Sequence, residues 1–105
     1  MSETNDLNSN IVTLGNRRGG YLWRNNTGMA RMSGRVVRFG KVGSGDVIGV
    51  YRGYFVSIET KTGRDKASPE QVEFAEQITQ HGGFACFVRD LDEAIEFFDM
   101  IDGQP

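Results

Sequence analysis

The chain has 105 residues, 38% of them apolar and 25% charged, with a single cysteine. That length suits one domain with one core and is too short for two. One cysteine excludes an internal disulfide framework, and no apolar run approaches the roughly 20 residues of a membrane-spanning helix. The formal net charge of −2 conceals a segregation. Between Leu7 and Gly45 stand Arg17, Arg18, Arg24, Arg31, Arg35, Arg38 and Lys41 with no acidic residue, whereas the remainder holds five basic and fourteen acidic groups. A basic segment on an acidic body is an electrostatic footprint for a polyanion, and its arginine dominance favours phosphate recognition. The plainer alternative is a solvated face whose charges happen to segregate.

In chain order, Leu7, Ile11 and Leu14 recur at helical spacing, and Gly15 is placed to stop that helix. Residues 21–24 read as a short strand. Residues 25–34 are rich in turn formers and arginine and read as a loop, 35–39 as a strand, and 40–45 as a turn. Residues 46–51 and 54–61 are dense in β-branched and aromatic types, and only Arg52-Gly53 separates them, which specifies a hairpin. Residues 62–66 are a polar loop. Ser68-Pro69-Glu70-Gln71 opens a helix: Ser68 caps, Pro69 takes the first helical position and Gln71 completes a capping box. Val72, Ala75 and Ile78 are its expected buried stripe, with Phe74 beside it, and Gly82-Gly83 ends it. His81, the chain's one histidine, falls in the last turn, where a structural role is expected. Residues 84–88 read as a fully apolar buried strand in which Cys86 serves as a small hydrophobe. Asp90 caps a last helix, Glu93 completes a second box, and Leu91, Ala94, Ile95, Phe98 and Ile101 face inward. The order α, strands, α-β-α predicts an α/β fold of the α+β kind, a mixed sheet flanked by helices, with residues 1–105 as one domain.

The chemistry concentrates on the 46–61 hairpin. If Tyr51 faces Tyr54, the register puts Asp46 opposite Glu59, with Cβ atoms about 4.5–5.5 Å apart. Lys61, two residues further, points to the same face. Facing carboxylates repel, and a cation between them removes the conflict. Two carboxylates and a backbone carbonyl, that of Thr60, suit Mg²⁺ or Mn²⁺. Asp46 as a turn cap and Glu59/Lys61 as a solvated pair is the bland reading; the cross-strand register favours a site. In the basic segment, Arg24, Arg31, Arg35, Arg38 and Lys41 are the candidate DNA-binding cations, with the adjacent Asn25 and Asn26 as candidate hydrogen-bond donors to phosphate.

An Asp followed by Glu-x-Lys across a hairpin resembles the PD-(D/E)xK nuclease superfamily. More narrowly, the chain resembles the stand-alone phage-type VRR-NUC domain. The matching stretches are Trp23-Arg24-Asn25-Asn26-Thr27-Gly28, Gly45-Asp46-Val47-Ile48-Gly49, Ile58-Glu59-Thr60-Lys61, Ser68-Pro69-Glu70-Gln71 through Phe74, His81-Gly82-Gly83-Phe84-Ala85 and Asp92-Glu93-Ala94, which together cover residues 21–98. The resemblance implies a restriction-endonuclease-like α-β-β-β-α-β core with a C-terminal helix. It also implies Mg²⁺- or Mn²⁺-dependent phosphodiester cleavage on branched DNA such as four-way (Holliday) junctions. Asp46 and Glu59 would be metal ligands, Lys61 would orient the attacking water and stabilise developing charge, and Gln71 matches a helix glutamine near the family's site. Gly45 stands where the family name has proline. The family's first-helix carboxylate falls here to Glu3 or Asp6, with Glu3 preferred. The implied setting is the cytoplasm of a bacterium or phage-infected host cell. The second reading is a non-catalytic DNA-binding module that keeps the nuclease fold. Paired cuts on a junction need two sites, so a homodimer is expected, with Phe97, Met100, Met29 and Met32 as its apolar surface.

Overall fold

The computed structural model describes residues 3–105. Its elements are α1 (Glu3–Arg17), β1 (Tyr21–Arg24), β2 (Gly28–Met32), β3 (Arg35–Phe39), β4 (Val47–Tyr51), β5 (Tyr54–Thr60), α2 (Pro69–Gln80), β6 (Phe84–Val88) and α3 (Leu91–Asp102). Four strands form a mixed sheet in the order β1-β4-β5-β6. β1, β4 and β5 pair antiparallel, and β6 runs parallel to β5. This mixed α+β architecture is the one the sequence predicts. No described helix is long and apolar enough to cross a membrane.

Alternation along each strand divides the sheet into two faces. Leu22, Val47, Tyr51, Val56, Ile58 and Val88 are buried in one core with Leu7 and Ile11 of α1 and Ala94, Phe98 and Ile101 of α3. α2 lies on the other face, over β5 and β6 only.

α1 does not stop at Gly15. A side chain there would meet Leu22 Cδ1 at 2.9 Å and Phe98 Cζ at 3.0 Å, so this glycine serves close packing inside the helix. The turn that ends the helix comes at Gly19, where φ is +94°, a left-handed conformation glycine adopts without strain. Beside that end, Arg18 ties three elements together. Its Nε donates to Tyr51 Oη (3.1 Å), and its Nη2 donates to Asp99 (2.6 Å) and Asp102 (2.7 Å), while Tyr51 Oη donates to Asp102 (2.9 Å).

Four more expectations are corrected. Phe97, expected off the inward stripe and offered as dimer surface, is 6% exposed and belongs to the core. α3 buries two adjacent aromatics because α1 and the sheet enclose it over a wide arc. Val72 is 41% exposed and α2 has no buried residue, since the helix meets only half of the sheet. The strand at 84–88 is a sheet edge rather than a sheathed centre, and Phe87 is 38% exposed. Glu93 does not close a box on Asp90. Asp90 accepts from Glu93 N–H at 2.9 Å, but the Glu93 carboxylate reaches past it to the N–H of Arg89 at 2.6 Å. The first capping box forms as expected: Ser68 Oγ accepts from Gln71 N–H and Gln71 Oε1 from Ser68 N–H.

The segment expected to be a loop, 25–34, contains β2, which pairs with β3 into a separate two-stranded arm. The turn is Ser33-Gly34, both at positive φ (51° and 76°), the backbone of a tight two-residue hairpin. Among the described residues the arm packs against no other helix or strand. The molecule is accordingly long, 50 × 32 × 26 Å, and its 14.1 Å radius of gyration exceeds the roughly 13 Å of a compact chain this size.

Candidate active site

Asp46 immediately precedes β4, one residue beyond the last ladder pair, Val47↔Ile58. The observed register is Tyr51↔Tyr54, the pairing on which the juxtaposition with Glu59 depends. The backbone leading into Asp46 is held from three sides. Asn25 Nδ2 donates to Ser44 Oγ (2.7 Å) and to Gly45 O (2.9 Å), and Asn25 N–H donates to Asp46 O (2.8 Å). Gly45 N–H donates to Ser57 Oγ at 3.0 Å. Proline at 45 has no such donor, and a Cβ there would stand 2.5 Å from Ser57 Oγ and 2.8 Å from the Ile58 backbone. Glycine is therefore what this loop requires. Asn25, expected to contact DNA, braces residues 44–46. Its amide is consumed by the returning loop because β1 ends one residue before it.

The Asp46 carboxylate is oriented by Thr60, whose N–H and Oγ1 both donate to Oδ2 at 2.9 Å. Glu59, 8% exposed, follows the strand alternation to the α2 side of the sheet. Its carboxyl pKa is pushed up to about 8, chiefly by burial and then by the Asp46 charge beside it, with Lys61 opposing. Lys61 Nζ lies 3.7 Å from Glu59 Oε2, on the same side as expected. Two carboxylates and an amine thus converge at one end of the sheet.

A cleft of about 260 Å³ opens beside Lys61, lined also by Asp65, Ala67, Phe87, Arg89 and Glu93. Arg89 belongs to no motif that sequence reasoning marks. Its guanidinium donates to Gly63 O (3.0 Å) and Asp65 O (3.2 Å), fixing the loop that follows Lys61. The pairing Thr60↔Val88 brings it there, and nothing local announces that register.

The other expected residues divide. Gln71 stands in the first turn of α2 with Oε1 engaged by Ser68 N–H, a capping role. Arg24 is exposed and donates to Asn5 Oδ1 at 2.9 Å. Asn26, Arg31, Arg35, Arg38 and Lys41 are all exposed. The arm leaves the body after Asn25 and returns through residues 40–46. Its base is so tight that a Cβ on Gly40 would meet Asn26 O and Thr27 Cγ2 at 2.7 Å. Both ends of the basic arm are therefore anchored near Asp46. Glu3 begins α1, but its side chain lies outside the described residues. Asp6 is exposed and lines a hollow with Thr62 and Arg89. Among the described residues no three His, Cys, Asp or Glu side chains converge.

The donor chemistry suits a hard divalent cation. Asp46 and Glu59 crowd two carboxylates into a buried corner, and a cation there would relieve the repulsion and desolvation that raise Glu59. Asp46, Glu59 and the Thr60 carbonyl are the groups able to hold it. Cys86 offers no competing soft ligand: it pairs with Ile58 and packs against the core on the opposite face of the sheet. No protein-family model matches the sequence, and no curated protein matches it.

Proposed function

We propose that this chain is a divalent-metal-dependent DNA endonuclease of the PD-(D/E)xK type, with the restriction-endonuclease-like core of a stand-alone VRR-NUC domain. The observation that carries the reading is the corner itself. Two carboxylates, one on β5 and one just before β4, stand together, one with its pKa raised to about 8, and a lysine amine lies 3.7 Å away. A structural ion pair needs one carboxylate; a second one raises the energy of the fold and is explained by a ligand that needs both.

In this reading Asp46, Glu59 and the Thr60 carbonyl hold Mg²⁺ or Mn²⁺, which when bound supplies Lewis-acid polarisation of the scissile phosphate. Thr60 keeps Asp46 in place through its two donated hydrogen bonds. Lys61 positions the attacking water and stabilises charge growing on the phosphate oxygens. Arg89 holds the 63–65 loop beside it. The arm, with Arg31, Arg35 and Arg38, grips the DNA backbone. The experiment is cleavage of a labelled four-way junction and a linear duplex, with Mg²⁺ and with chelator. Scission of the junction that requires the metal is expected. Tight DNA binding with no scission under Mg²⁺ or Mn²⁺ would leave the non-catalytic module instead.

Symmetric cutting of a junction takes two copies of this one corner, so the active form is a two-fold dimer. With Phe97 in the core, the exposed apolar candidates for it lie apart, Met29 and Met32 on the arm and Met100 on α3. Sedimentation at micromolar concentration is expected to give twice the 11.7 kDa chain mass. A monomer that still makes paired cuts would mean that two copies meet only on DNA.

A further inference from the structure

α2 covers β5 and β6 and leaves the same face of β1 and β4 open. The ladder arranges that open half in rows. Tyr21, Val50 and Phe55 are cross-strand neighbours in one row, and Trp23, Ile48 and Ser57 form the next. One further step of two residues, roughly 6.6 Å, reaches the row of Asp46 and Glu59. Tyr21 is 74% exposed, Trp23 44%, Val50 44% and Phe55 38%. The Tyr21 and Trp23 rings are 5.5 Å apart, centroid to centroid. An apolar patch on consecutive strands of one face marks a binding surface rather than scattered exposure. It ends against the 44–45 loop, which Asn25 and Ser57 hold and which leads into Asp46.

We propose that this open face is a stacking platform for unpaired nucleotides, holding a single-stranded segment beside the loop that leads into Asp46. The inference rests on the DNA-cleavage reading for the identity of the substrate and refines it. Intact duplex hides its base faces in its own stack, whereas unpaired bases offer them to aromatic side chains whatever the sequence. Trp23 stands one row from the corner and Tyr21 two. Charge supports the same occupant, because the arm carrying Arg31, Arg35 and Arg38 springs from the end of β1, next to Trp23. Bases would lie on the sheet while the arm holds the phosphates. The occupant is therefore a run of unpaired nucleotides, with Tyr21 and Trp23 as its stacking partners.

Trp23 is the only tryptophan, so its fluorescence reports on the platform directly. The protein in chelator is titrated with a short oligothymidine and, separately, with duplex, while anisotropy of labelled DNA follows binding. Oligothymidine is expected to quench Trp23 saturably, and duplex to bind without comparable quenching. Tyr21→Ala, at a site exposed enough to keep the fold, should weaken oligothymidine binding about five- to hundredfold and duplex binding by less than about threefold. Trp23→Phe should restore most of the affinity that Trp23→Ala removes, with matching melting curves confirming the fold. Binding of oligothymidine with unchanged Trp23 emission and unaffected affinity in Tyr21→Ala overturns the platform. So does emission that shifts with protein concentration alone, because a second copy then covers the face. Quenching without Mg²⁺-dependent cleavage would retain the platform and remove the nuclease reading; cleavage without quenching would do the reverse.

Discussion

Glu59→Gln is expected to make the metal-free protein more stable at pH 8 while sharply lowering metal-dependent cleavage. The Glu59 carboxyl, ordinarily near 4.5, is raised to about 8 by burial and by Asp46. Between those values the unfolded chain has released its proton and the folded chain retains it. The folded state binds more protons, so stability falls as pH rises through this window, and the full penalty is present above pH 8. Glutamine has no proton to lose, and the fall should vanish. With Lys61 and residual solvent offsetting part of the charge, a gain of about 2 kcal/mol at pH 8 is expected, or roughly 10 °C in melting temperature for a domain this size. Melts in chelator at pH 5 and pH 8 check it. The parent should lose stability between them, and the variant should change far less. Mg²⁺ should raise the parent's melting temperature at pH 8 and leave the variant's unmoved. Cleavage by the variant should drop about a thousandfold, equivalent to roughly 4 kcal/mol of transition-state stabilisation. A variant less stable than the parent at pH 8 would make Glu59 a structural acceptor and remove the site.

The elements that position the corner are legible in the sequence because their signals are local. Arg52-Gly53 fixes a two-residue turn, and that turn sets the register that carries Asp46 toward Glu59. Ser68, Pro69 and Gln71 specify a helix start through hydrogen bonds within four residues. What stays hidden depends on tertiary packing. The arm shows no clean two-residue hydrophobic period because it buries neither face: Met29 and Met32 are 60% and 58% exposed, and arginines are interspersed with them. Gly15 looks like a helix stop until Leu22 and Phe98 are seen pressing on it. Phe97 falls off an idealised stripe, yet the buried arc of α3 is wide enough to take it. Asn25 reads as a phosphate donor, and only the returning loop at 44–45 reveals what its amide holds. Arg89 is a remote residue brought to Lys61 by parallel pairing of β5 and β6.

Lys61→Ala should lower turnover about a hundred- to thousandfold, the usual effect of removing one preorganised donor to a developing charge, with DNA affinity changed by less than about threefold. The reason is position. Nζ stands at the carboxylate corner with its side chain only 13% exposed, which suits engagement of the reacting phosphate rather than of DNA along its length. An interaction made mainly in the transition state appears in kcat and leaves ground-state binding nearly intact. The arm should behave in the opposite way. Arg31, Arg35 and Arg38 are exposed on strands that touch no other described helix or strand, so they can neither shape the corner nor reach it through packing. Alanine at each should weaken DNA binding and flatten its dependence on salt by about one unit of slope for each phosphate no longer neutralised, while kcat at saturating DNA holds. Single-turnover kinetics alongside binding measured in chelator over a range of salt separates the two groups. Equal falls in rate and affinity for Lys61→Ala would make that lysine a phosphate anchor, and an unaltered salt slope in all three arginine variants would turn the arm away from DNA.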